Sequence, residues 1–330
     1  MKFRINISLI VFFQILTVSV IAQFPPAAGQ PGTTAMYKDS SIFVGWAITC
    51  DVFRGAMDIS KPDIGNAWFG DATYAIGKAE GNSVDVVSLG DSGEALLSFE
   101  TPISDGEGWD FAVFENALND SFLELAFVEV SSDGVNYYRF SSASLTDTSI
   151  QVATFGALDA SKINNLAGKY RQGFGTPFDL AELEGSSGLD LNHVTHIKII
   201  DVVGCIQNSF ANYDADGHKI NDPWPTPFET GGFDLDGVGV IHTSQAGIDE
   251  IVNSFKVFPN PFTNTFKVTF QNSSNAQFEF VVANLIGDII YKNTYKSLCM
   301  VDMTGFPAGF YFIKLKNTNH SIVHKILKIN

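Results

Sequence analysis

The chain has 330 residues and a formal charge of −16, from 20 Lys and Arg against 36 Asp and Glu. Such an acid surplus excludes nucleic acid and anionic membrane as favoured partners. A hydrophobic share of 45% against 17% charged excludes a disordered chain, and 29 Phe with 29 Gly, few helix-period stretches between them, predict β-sheet broken by turns.

In chain order, residues 1–22 read as a secretory signal peptide. Lys2 and Arg4 precede an apolar run from Ile7 to Val20, and Val20-Ile21-Ala22 offers a small-residue cleavage site. The run falls short of the roughly 20 residues a membrane span needs. A retained anchor is the alternative, and no transmembrane segment is expected once the leader is removed. Residues 23–76 are read as an N-terminal extension packed on a β-sandwich, with Trp46, Trp68 and Tyr74 in a strand pair or a covering loop.

Residues 77–245 predict that β-sandwich, of jelly-roll type. Val84 to Ser88, Ala95 to Phe99 and Phe111 to Glu115 alternate with period two, and Gly90, Gly93, Gly106 and Gly108 supply turns. Leu125–Val130 and Tyr137–Phe140 read as a hairpin closed by Ser132-Asp133-Gly134. HIKIIDVVG and GFDLDGVGVIH supply the last strands. Short strands at even spacing suit an antiparallel sandwich.

Charge reverses near Ile251. Residues 23–250 carry 10 basic and 33 acidic side chains; residues 251–330 carry eight Lys and three acids. A domain boundary is expected there, with a linker over 246–254.

Several loops invite chemistry. Asp214, Asp216 and Asp222, with Asn212 and the turn at Gly217, suit Ca²⁺, which takes six to eight oxygens. The loop is no EF-hand, since Pro225 stands where the twelfth-position Glu is needed. Asp234 and Asp236 share strand parity, which makes them a second metal candidate or a solvent-facing edge. Trp109 and Asp110, followed by Glu115 and Asn116, have the composition of a sugar platform, although Trp109 also suits a core. Trp224, set between Pro223 and Pro225, is the expected exposed contact residue. Lys169 and Arg171 suit ion pairing or an anionic substituent. Cys50 and Cys205 are candidate disulfide partners, and Cys299 is left over.

Catalytic patterns are missing: there is no G-x-S-x-G and no H-E-x-x-H, and His193 and His196 differ in strand parity. A two-carboxylate glycosidase or lyase remains open, with Asp110/Glu115 or Asp234/Asp236 as the pairs to inspect.

Two resemblances add to this. VEVSSDGVNY resembles the strand-turn-strand of galactose-binding-like and discoidin-like jelly rolls, and FDLDGVGV their closing strand. With DFAVFEN, NLAGKYRQGFGTPFDLAEL and IKIIDVVG, roughly Gly77 to His242 is similar to a family of bacterial cell-surface proteins that brings no established reaction. Residues 255–330 resemble the C-terminal sorting domain of proteins exported by the type IX secretion system of Bacteroidetes. The matching positions are Phe258-Pro259-Asn260-Pro261, Gly287 and Ile289, Pro307-Ala308-Gly309 and Tyr311, then Lys325, Ile326 and Ile329. That resemblance implies a small Ig-like sandwich, recognition by the export machinery, and removal by a cut between about His242 and Phe255. The expectation is a secreted or surface-attached binding protein, stabilised by Ca²⁺, with an extracellular ligand taken to be a glycan. Hydrolase or lyase activity and a structural or adhesive role are the alternatives.

Overall fold

A computed structural model describes residues 24–244, 255–270, 277–316 and 321–330. The leader at 1–22 and the linker at 246–254 lie outside the described residues. The chain is all-β, and the helical turns among the described residues are 3₁₀ turns of three or four residues. It divides into two units at Thr243/Ser244.

Three short strands open the first unit: β1 (Met36–Tyr37), β2 (Gly45–Trp46) and β3 (Thr49–Phe53). β4 (Val87–Ser88), β5 (Glu94–Ile103), β6 (Phe111–Glu115), β7 (Ala126–Ser131) and β8 (Tyr138–Arg139) lie where the alternating runs predict strands. After the pair β9 (Ala143–Ser144) and β10 (Ile163–Asn164) come β11 (Phe174–Phe178), β12 (Val194–Asp201) and β13 (Asp234–Val240). One antiparallel sheet runs β1-β11-β6-β13-β2, with β4 also on β13; the other runs β3-β5-β12-β7-β8. Successive strands β5, β6 and β7 change sheet each time, as do β11, β12 and β13, so both sheets must close on one core.

Val113, Phe178, Val238 and Val240 from the first sheet meet Leu97, Val128, Val130, Ile197 and Ile199 from the second in that core. β12 alternates buried and half-buried residues, as a one-face strand should. β6 and β13 are buried throughout, because their outer face is covered too. Phe43 and Trp46 lie over Phe114, with ring centroids 5.6 and 5.4 Å away. Residues 36–53 therefore give edge strands to both sheets as well as this cover, a larger part than an extension packed on the outside. Trp68, in contrast, is exposed.

The predicted hairpin joins β7 and β8. Asp133 accepts the N–H groups of Val135 and Asn136, and Ser131 Oγ accepts that of Gly134, whose φ is +74°. Cys50, Cys205 and Cys299 are free and buried.

In the second unit, β14 (Lys256–Phe258), β15 (Thr265–Thr269), β16 (Phe278–Ala283), β17 (Ile289–Tyr295), β18 (Leu298–Asp302), β19 (Gly309–Lys316) and β20 (Ser321–Lys328) form two sheets, β14-β15-β18 and β17-β16-β19-β20. Phe266 and Val268 are buried while Lys267 and Thr269, which alternate with them, are half-buried, the alternation expected of this run. They share a core with Phe280, Val282, Ile313 and Ile326 from the other sheet.

Candidate functional site

Strand directions bring a set of acids to one rim of the first unit. Glu115 ends β6 and its register partner Leu235 follows Asp234 at the start of β13. Asp201 ends β12 opposite Ala126, two residues after Glu124. Asp91 lies just before β5, whose first residue pairs with Ile200. All five acids are buried, and Asp222 joins them by accepting the Leu125 N–H at 3.0 Å.

The outer members serve the backbone. Asp201 accepts the N–H groups of Phe233 at 2.7 Å and Ser92 at 3.0 Å, which ties the two sheets together at this rim. Gly232 permits the approach: its φ is +74°, and a Cβ there would lie 2.7 Å from Asp201 Oδ1. Asp91 accepts from the Ile59 N–H and from the Trp224 indole at 3.3 Å.

The inner members are less well served. Asp234 accepts from the Ser88 hydroxyl and from Asn116 Nδ2 at 3.0 Å. Glu115 uses Oε2 for the Ala117 N–H at 2.7 Å, while its Oε1 is buried with no hydrogen-bond partner. Glu124 takes no hydrogen bond to its carboxylate from any described residue. Among the described residues, none of these acids forms a salt bridge. Arg54 acts on Asp234, but its guanidinium is engaged with the carbonyls of Phe69, Ser88 and Gly70. Burial pushes the Asp234 carboxyl up to about 7. Burial, then Asp234 as a neighbouring charge, holds both Glu115 and Glu124 well above the usual carboxylate range.

A cleft of about 210 Å³ opens above Glu124 and Asp234. Its wall is aromatic. Phe155, 76% exposed, stacks on Phe228 with centroids 5.9 Å apart at 20°, and Phe122 lies 6.1 Å away on the other side. Ser83, Asn116, Thr154, Thr226 and Thr230 add polar groups between rings and floor. Rings, hydroxyls, an amide and carboxylates thus share one concave surface.

The expected site residues divide between this rim and other places. Glu115, Asn116, Asp222 and Asp234 belong to the rim. Trp109 is half-buried and Asp110 buried at the opposite end of β6, about 16 Å from Glu115 at the ordinary rise per residue. Glycosidase carboxylates stand roughly 5 to 9.5 Å apart, so Asp110 and Glu115 form no such pair. Asp110 instead orders the chain, accepting from Gly106 N–H, Leu180 N–H and His242 Nδ1 at 2.7–2.8 Å.

Trp224 is a correction. It is 7% exposed, tucked against Phe210, Val203 and Cys205, with its backbone N–H on the Val152 carbonyl at 3.1 Å. The Asp214 loop also differs from its expected form. Asp214 is buried and accepts the N–H groups of Ser144, Asp216 and His218, whereas Asp216 is exposed. Among the described residues the carboxylate trio with oxygens mutually within 4.8 Å is Asp105–Asp110–Asp179, so Asp214, Asp216 and Asp222 do not converge on one point. Asp236 is buried, not a solvent edge, and accepts the N–H groups of Glu80 and Gly81 at 2.8 Å; the register shift between Leu235 and Gly237 gives it surroundings separate from those of Asp234. Lys169 donates to the Ile163 carbonyl and Arg171 pairs with Asp120.

Glu124, Phe122, Phe155 and Phe228 escape sequence reading. A signal for Glu124 existed: Leu123-Glu124-Leu125 sets an acid inside an apolar run with no basic residue near it. The three Phe come from separate loops, and only the fold brings them together.

Residues 256–329 match the secretion system C-terminal sorting domain family. The second unit is accordingly a type IX sorting domain, and it marks the protein for export and for an outer-surface or secreted location. No helix among the described residues is long and apolar enough to cross a membrane. No curated protein matches the sequence. Among solved structures, the BSP domain of a biofilm associated protein is 13% identical with a TM-score of 0.24, over 72% of this chain and 48% of its own. β-Glucuronidases of Lactobacillus rhamnosus and Ruminococcus gnavus are each 10% identical, with TM-scores of 0.16 and 0.17, over 36% of their own length. The chain spans less than half of each, and such distant likeness carries no activity across.

Proposed function

We propose that a leader over residues 1–22 and the sorting domain take this protein out of the cell, where the first unit binds a carbohydrate-type ligand in the cleft at its acidic rim. The observation that carries the reading is the exposed Phe155–Phe228 stack beside Asn116 and three threonines. Large rings left in water beside a concave polar surface favour a ligand with an apolar face and a polar edge. A sugar ring has both: its C–H face lies on an aromatic ring while its hydroxyls reach the Thr, Asn and carboxylate oxygens. The acid surplus of this unit favours neutral over acidic saccharides.

The test is a glycan array probed with the purified protein. Signal on neutral polysaccharides, lost in Phe228→Ala at an unchanged melting temperature, supports the reading. Silence across neutral and acidic polysaccharides removes the glycan as ligand.

A further inference from the structure

We propose that the cleft selects a positively charged amine: on the saccharide reading, on which this rests, its ligand is an amino sugar whose ammonium group meets Glu124.

Glu124 carries the argument. It is 8% exposed and lines the cleft together with Asp234. Among the described residues, nothing donates a hydrogen bond to its carboxylate. Its oxygens are not sealed from water as Glu115 Oε1 is, so the side chain opens onto the cleft. Asp234, by contrast, is already met by the Ser88 hydroxyl and by Asn116 Nδ2 at 3.0 Å. A buried carboxylate is costly unless a donor or a countercharge meets it. The cleft supplies no countercharge, since its lining holds two acids and no Lys, Arg or His. The partner of Glu124 has to come with the ligand.

A sugar hydroxyl would give Glu124 one hydrogen bond and leave its charge uncompensated. An ammonium group gives both the countercharge and a charge-assisted bond of about 2.7–2.9 Å. The walls favour the same group. Phe155 and Phe228 stack with centroids 5.9 Å apart, and Phe122 lies 6.1 Å from Phe155. Ring faces attract an ammonium group within about 6 Å. A metal ion would satisfy the carboxylates and gain nothing from the rings. Burial and the Asp234 charge favour a proton on Glu124 when no ligand is bound. A bound ammonium group reverses that preference, and the proton leaves to water. At about 210 Å³ the cleft is smaller than the roughly 300–1,000 Å³ of a drug-sized site and suits a single ring.

The experiment is calorimetric titration of the purified full chain near neutral pH. The probes are a glucosamine oligosaccharide, its fully N-acetylated form, and the sugar-free pair cyclohexylammonium and cyclohexanol. The glucosamine form should bind about tenfold or more tightly than the N-acetylated one, and cyclohexylammonium more tightly than cyclohexanol. Glu124→Gln keeps the shape without the charge, so it should erase both differences while melting no lower than the wild type. Asp234→Asn should narrow them. Asp216→Asn removes an exposed acid outside the cleft and should leave them in place, which separates a site from general attraction to an acidic surface. The inference is overturned if cyclohexylammonium binds no more tightly than cyclohexanol, or if the preference survives Glu124→Gln. Oligosaccharides that bind alike also overturn it and leave the saccharide reading standing. If neither oligosaccharide binds while cyclohexylammonium binds through Glu124, the saccharide reading falls and the ammonium site stands.

Discussion

Asp91 shows what a buried acid does to stability when its partners are neutral. It is 4% exposed, and burial pushes its carboxyl up to about 6 against the hydrogen bonds from Ile59 and the Trp224 indole. The unfolded chain titrates this group near 4. The folded protein therefore binds the proton more tightly, and the stability linked to it is full below about pH 4 and lost as pH rises towards 6. Two pH units correspond to about 3 kcal/mol at most. Asp91→Asn keeps the shape and cannot ionise. Urea midpoints should show the variant gaining on the wild type between pH 4 and pH 7; a difference that does not change with pH would contradict the account of this residue.

At the scale of elements, the strands are legible in the sequence and the cleft is not. β5, β6 and β7 lie where period-two alternation places them, and the Asp133-Gly134 hairpin comes from local turn chemistry. Parity fails at β13, because the register shift after Leu235 is set by partners on β6 and not by the run itself. Trp224 departs from expectation for a similar reason: prolines on both sides suggest a projecting loop, yet the Val152 carbonyl holds its backbone N–H while Asp91 and Phe210 meet the indole. Phe122, Phe155 and Phe228 meet across gaps of 33 and 73 positions, a separation no local pattern records. The sorting unit is easier to read, because Pro259-Asn260-Pro261, Gly287 and Pro307-Ala308 sit in the turns between its short strands, where local chemistry decides the backbone. Its core depends on Phe280 in β16, fully buried and edge-on to Tyr291 and Tyr295 at 6.1 and 6.0 Å. Phe280→Ala should cost about 3–5 kcal/mol and lower the melting of this unit. An unchanged calorimetric trace would mean the core is not built as described.

At the scale of the whole molecule, two units with opposite charge have separate tasks. The first carries the acid surplus and the cleft; the second, with eight Lys against three acids beyond residue 250, carries the address. Deleting residues 255–330 should strand the protein in the periplasm of a type IX-competent host, by fractionation and immunoblot, and surface display of the truncated chain would contradict that division. Binding in the cleft is tested most directly by calorimetric titration of an array-positive polysaccharide into wild type and Phe155→Ala. Phe155 is 76% exposed, so its loss should leave the melting temperature unchanged. Affinity should fall about tenfold or more, roughly 1.4 kcal/mol or above. Equal affinity for the two proteins would contradict the central claim.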